Sequence, residues 1–119
     1  MSRFNATGLL SNRTVLPLTL KNASLSWGSW IQPPMPSIAP GQQNVPAFVA
    51  TGSVFSGTQG QVVYQLGKDI LVTLCFDDPF SGSNSTNGTM SSAPDYVVSG
   101  LVPSHGSTVT FAYVIAKVG

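Results

Sequence analysis

The sequence of 119 residues contains no Glu, a single Cys (Cys75) and a single His (His105). Charged residues make up 8%, where an average globular domain carries about 25%. Each shortage excludes a class. One Cys rules out an intrachain disulfide, and with one His it rules out every Cys/His zinc pattern. A net charge of +1 leaves no basic footprint for nucleic acid. The four acids are Asp69, Asp77, Asp78 and Asp95, too few for most acid–base chemistry. There is no G-x-S-x-G elbow and no Gly-rich phosphate loop opening a helix. No run approaches the ~18 apolar residues of a spanning helix, and the first ten residues lack the apolar stretch of a secretory signal. The chain therefore reads as soluble, either cytoplasmic or released by a non-classical route.

What remains is apolar and neutral-polar. Hydrophobic residues reach 42%, which with the low charge argues against disorder. By the surface scaling law, a chain of this size buries about two-thirds of its unfolded surface, enough for one core. One domain over residues 1–119 is the expectation.

Apolar positions recur with a period of two, and no window sustains a period of 3.6. Leu16, Leu18 and Leu20 alternate behind Pro17, which suits an edge strand. Leu25 and Trp27 alternate with Ser24 and Ser26. Residues 32 to 46 hold five prolines and read as a long exposed loop. Val45 to Phe55 is strand-like, interrupted by Gly52. Gln61 to Leu66 and Ile70 to Phe76 flank Gly67-Lys68-Asp69, a hairpin signal. Residues 77 to 94 are rich in Ser, Asn, Gly and Thr and read as loop. Tyr96 to Val102 is a short strand, and Thr108 to Val118 is the clearest alternation. The expected fold is all-β: an antiparallel β-sandwich of six to eight strands with long Pro-rich and Ser/Asn-rich loops. Ile70, Val72, Leu74, Phe76, Val109, Phe111, Tyr113 and Ile115 should form its core.

Candidate chemistry is sparse. Asp77 and Asp78 are adjacent, so on a strand they would face opposite ways and could not flank one glycosidic bond. As loop acids before Pro79 they would bond local backbone. With Asn84 they offer calcium ligands, but without the alternation of an EF-hand loop. His105 falls in a turn, Pro103-Ser104-His105-Gly106-Ser107. Cys75 lies in an apolar strand and is expected to be buried and inert. Five N-x-[ST] sequons, at Asn5, Asn12, Asn22, Asn84 and Asn87, matter only in a secretory context.

The aromatic residues point further. Trp27 and Trp30 flank Gly28-Ser29, and Phe80 follows Pro79 in a polar loop. Rings beside Ser and Asn suit a lipid interface or a sugar-stacking platform, since they tolerate the boundary between apolar and wet. Trp30 and Phe80 are expected to form a contact site at one sandwich end, with Trp27 partly buried behind them.

The stretch Leu20-Lys21-Asn22-Ala23-Ser24-Leu25-Ser26-Trp27-Gly28 resembles an early strand of the aegerolysins. Gly57-Thr58-Gln59-Gly60-Gln61-Val62-Val63-Tyr64 resembles that family's Gly-Thr-x-Gly motif and the following strand. Cys75-Phe76-Asp77-Asp78-Pro79-Phe80-Ser81-Gly82-Ser83-Asn84 resembles its aromatic-rich strand end with Pro and Asn. Here Phe76, Asp77 and Asp78 stand where members usually carry Trp and Cys. The resemblance implies an actinoporin-like β-sandwich without enzymatic activity that binds membrane lipid of sphingolipid type; no cofactor or metal is expected. Some members require a larger pore-forming partner.

The expected ligand-binding residues are thus Trp27, Trp30, Phe80, Asp77, Asp78 and Asn84. The expected partners are a sphingolipid-type headgroup or a glycan, a larger pore-forming protein and a second copy of the chain, but no nucleic acid. A lectin-like carbohydrate module and a low-charge assembly subunit are the alternative functions.

Overall fold

The structure is a computed structural model that describes residues 4–53, 55–79, 81–91, 93–102 and 108–118. In these residues the chain forms ten strands and no helix: β1 (Phe4–Arg13), β2 (Leu18–Trp27), β3 (Ser29–Gln32), β4 (Ser37–Ile38), β5 (Val45–Gly52), β6 (Gly57–Leu66), β7 (Ile70–Pro79), β8 (Ser85–Met90), β9 (Tyr96–Leu101) and β10 (Thr108–Lys117). They pair into two five-stranded sheets, β3-β5-β1-β10-β9 and β4-β2-β6-β7-β8, which pack as a sandwich. Every pairing is antiparallel except that of β1 with β10. None of these residues forms a helix long and apolar enough to cross a membrane.

Period-two patterning positions the core. Seven of the eight expected core residues are buried, from Val72 to Ile115, and Ile70 is half-buried at its strand end. Between the sheets, Phe76 lies 5.2 Å from Phe48 and 5.7 Å from Phe111 by ring centroids. A fully buried ring of this kind contributes roughly 1.5–3 kcal/mol. The hydroxyls of the buried Tyr64 and Tyr113 are hydrogen-bonded. The Tyr64 hydroxyl donates to the Met35 carbonyl at 2.9 Å. The Thr86 hydroxyl donates to the Cys75 carbonyl at 2.7 Å and lies 2.8 Å from that of Tyr113, so the two sheets are tied by hydrogen bonds.

The β6–β7 hairpin turns at Gly67-Lys68-Asp69, where Gly67 takes φ +63°. Three segments differ from expectation. The N-terminal residues form β1, a central strand in which the Phe48 ring leaves no room for a side chain at Gly8. The Pro-rich stretch contains β4 and buries Pro34 and Ile38. The Ser/Asn-rich stretch is not one loop: β7 runs on to Pro79 and β8 spans Ser85–Met90.

Asn12 is wholly buried, so its sequon serves the fold. Its amide donates to the Leu16 carbonyl at 2.8 Å and its oxygen accepts from the Thr14 hydroxyl at 2.7 Å, bracing the β1–β2 turn.

Candidate functional site

Strand alternation sends one side of β6, β7 and β8 inward and leaves the other open. On that open face Gln61 pairs across to Cys75, and Cys75 to Asn87. One row further along, Gln59 pairs with Asp77, and Asp77 with Ser85. Ser24 of β2 extends the first row beside Gln61. A bulge between Leu25 and Trp27 then places Trp27 opposite Gln59. These rows form a trough of about 400 Å³, lined by Ser24, Ser26, Gln59, Gln61, Asp77 and Asn87 with neighbours from the same four strands.

The trough is built for polar recognition. Hydroxyls and primary amides offer donors and acceptors without charge. Among its described lining residues Asp77 is the single charged side chain. Burial raises the Asp77 carboxyl above the usual carboxylate range. No group of three or more His, Cys, Asp or Glu that could hold a metal stands together among the described residues.

Trp27 sits at the rim and is 58% exposed. Its backbone carbonyl accepts from the Thr58 hydroxyl at 3.1 Å, which pins the end of β2 to the start of β6. Gly28 follows at φ +100°, where an added Cβ would meet the Thr51 carbonyl at 2.3 Å. That left-handed residue carries the chain from one sheet to the other. The two tryptophans therefore part company. Trp30, on β3, packs edge-on against Phe48 at 5.7 Å and lies 6.2 Å from Phe76. The expected order of burial is reversed: Trp30 is the half-buried ring and Trp27 the exposed one, because Gly28 is a sheet switch rather than a point within one extended strand. Phe80 lies outside the described residues, as does His105.

The acids are also separated. Asp77 and Asp78 lie within β7, not in a loop, and so face opposite sides as adjacent strand residues must. Asp77 opens to the trough. Asp78 points between the sheets, fully buried, with no hydrogen-bond partner for either oxygen among the described residues. Burial first, then the Asp77 charge, push its pKa up to about 7. Asn84 is buried in the β7–β8 connection. Of the expected residues, Asp77 lines the trough and Trp27 stands in the same cross-strand row beyond Gln59, while Trp30, Asp78 and Asn84 pack toward the interior.

Cys75 differs from expectation as well. It stands half-exposed on the trough floor, 3.8 Å from the Gln61 side-chain oxygen, because the apolar face of β7 is the opposite one. Ser24, Ser26, Gln59, Gln61, Ser85 and Asn87 escaped the sequence reading, although the outward alternation of Gln59 and Gln61 signals a polar face. Near the same end, the β5–β6 turn displays Phe55, 82% exposed. Ser53 braces that turn, its carbonyl accepting from Gly57 N–H at 2.9 Å and its hydroxyl from Phe55 N–H at 3.2 Å.

Known structures share this fold. The lipid binding protein Nakanori matches with a TM-score of 0.85 at 16% identity, over 96% of this chain and 71% of that one. RahU protein, crystallised in complex with Tris, matches at 0.68 and 18%, over 99% and 96%. The Xerocomus chrysenteron lectin XCL matches at 0.63 and 9%, over 97% and 100%. At such identities the likeness establishes the fold, which is the one the aegerolysin resemblance implied. No family model matches the chain, and no curated protein matches it in sequence.

Proposed function

We propose that this chain is a non-enzymatic module that attaches to membrane surfaces by holding a lipid headgroup in the trough beside Trp27. The observation that carries the reading is the exposed Trp27, paired with Gln59 at the edge of a trough whose donors and acceptors, Asp77 apart, are uncharged. An indole at such a rim suits the bilayer interface, where one face is apolar and the other wet. Phe55 adds a second exposed ring near the same end. The lipid-binding protein of like fold supports the same reading. Trp30, Asp78 and Asn84 shape the end from within. The low net charge means that attachment does not rest on attraction to anionic lipid.

A second reading is carbohydrate binding, favoured by the same amide and hydroxyl rows and by the lectin of like fold. Co-sedimentation with sphingomyelin–cholesterol vesicles, run beside a glycan screen, separates the two. The lipid reading expects vesicle binding that Trp27→Ala weakens by about 1–3 kcal/mol with the fold intact. Glycan binding without vesicle binding would favour the second reading, and no binding to either would refute both. Dye release from the same vesicles reads whether the chain perforates alone; attachment without release is expected, which leaves perforation to a larger partner.

A further inference from the structure

We propose that the outer face of the β3-β5-β1-β10-β9 sheet is the contact surface of a homodimer, in which two copies of the chain pack sheet on sheet with their troughs turned away from each other. The trough lies on the other sheet, so this inference stands apart from the headgroup reading.

The outward residues of that sheet carry it. Ala6, Phe48, Phe111 and Tyr113 point into the core, which turns their strand neighbours outward. One outward row is apolar across four strands. Leu9 is opposite Pro46 on one side and Ala112 on the other, and Ala112 is opposite Leu101. A second row sets Ala116 opposite Val97, and Val114 lies between the two rows on β10. Leu101 is 74% exposed and Val97 46%, both on the edge strand β9. A contiguous apolar surface on a folded domain marks a site of interaction.

Area, charge and shape select a second copy as the occupant. The strands β3, β5, β1, β10 and β9 hold four, eight, ten, ten and six residues. At a rise of ~3.3 Å per residue and a strand spacing of ~4.8 Å, the sheet covers roughly 600 Å². Two copies would hide roughly 1,200 Å² together, which reaches the size of a stable specific interface. Among the residues of these five strands only Arg13 and Lys117 are charged, and both stand at the same end of the parallel pair β1 and β10. The middle of the face therefore meets its own copy without like-charge repulsion, and it offers no charge to steer a different partner. Ala112, Val114 and Ala116 are short, as sheets stacked ~10 Å apart require. A bilayer fits this face less well. The Trp and Tyr rings of these strands, Trp30, Tyr96 and Tyr113, all pack into or against the core, so none is presented to a membrane interface.

The test is sedimentation velocity of the full chain at micromolar concentrations. Wild type is compared with Ala112→Lys, Leu101→Lys and, on the outer face of the other sheet, Thr89→Lys. Wild type should sediment as a dimer. Ala112→Lys should weaken association by about tenfold or more, because the added charge is buried against a neutral face. Leu101→Lys should act in the same direction at a position too exposed to threaten the fold. Thr89→Lys should leave the dimer intact. Each variant should keep the wild-type circular dichroism spectrum and whatever vesicle attachment the wild type shows. A monomeric wild type, a dimer that neither Ala112→Lys nor Leu101→Lys weakens, or one that Thr89→Lys weakens equally overturns the inference. Loss of vesicle attachment in a folded Leu101→Lys, with wild type monomeric, overturns it in favour of a lipid contact on this face. A dimer that responds as expected but binds no vesicle upholds the inference and refutes the headgroup reading.

Discussion

Asp78→Asn should make this protein more stable at neutral pH and flatten its stability against pH. The Asp78 carboxyl is fully buried, and neither oxygen has a hydrogen-bond partner among the described residues. Thr58, directly across the ladder, commits its hydroxyl to the Trp27 carbonyl instead. Burial and the Asp77 charge raise the Asp78 pKa from 3.8 to about 7. In the window between those values the unfolded chain releases its proton while the native state retains it. The unfolded state then binds fewer protons, so stability falls as pH rises. Each unit is worth about 1.36 kcal/mol, which gives a loss of roughly 4 kcal/mol from pH 4 to pH 7. Against a typical total of about 5–15 kcal/mol, that is a large share. Asparagine cannot ionise, so the variant should escape most of this loss, with a small residue from the raised carboxyl of Asp77. Urea unfolding followed by circular dichroism at several pH values measures the effect. Wild-type stability that rises or stays level from pH 4 to pH 7, or an Asp78→Asn slope equal to that of wild type, would refute the reasoning.

Trp30→Ala should cost about 2–3 kcal/mol, less than a fully buried ring, while the folded fraction binds as wild type does; urea unfolding beside vesicle sedimentation checks both halves. Phe111→Ala, at a fully buried position, should cost about 3–5 kcal/mol, and a loss under about 1 kcal/mol would contradict its place in the core.

The architecture was legible where large apolar residues alternate, as along Ile70 to Phe76 and Val109 to Ile115. It was obscured where alternation is carried by small or polar residues. Strand β1 sets Ala6 and Gly8 inward, and a Gly that yields its space to Phe48 leaves no apolar signal. Strand β8 sends Ser85, Asn87 and Thr89 outward against Thr86, Gly88 and Met90, a pattern that reads as loop. The rim tryptophan was named but its burial was mistaken, because the sheet switch at Gly28 depends on contact with Thr51, a residue distant in sequence. The trough itself draws residues from Ser24 to Asn87 onto four strands, and only their pairing register brings them together. Asp77 was identified as a candidate, yet its separation from Asp78 follows from their lying within β7 rather than in a loop.

Cys75 offers the most direct test that the trough is the binding site. Its thiol is half-exposed on the trough floor, between Gln61 and Asn87 in the cross-strand row. A bulky aromatic disulfide reagent attached there fills the space a headgroup would take, and reduction removes it. Vesicle sedimentation of the modified, folded protein should fall by about tenfold or more, return after reduction, and remain normal in Cys75→Ser. Modified protein that stays folded and binds vesicles as well as the unmodified chain would contradict the account.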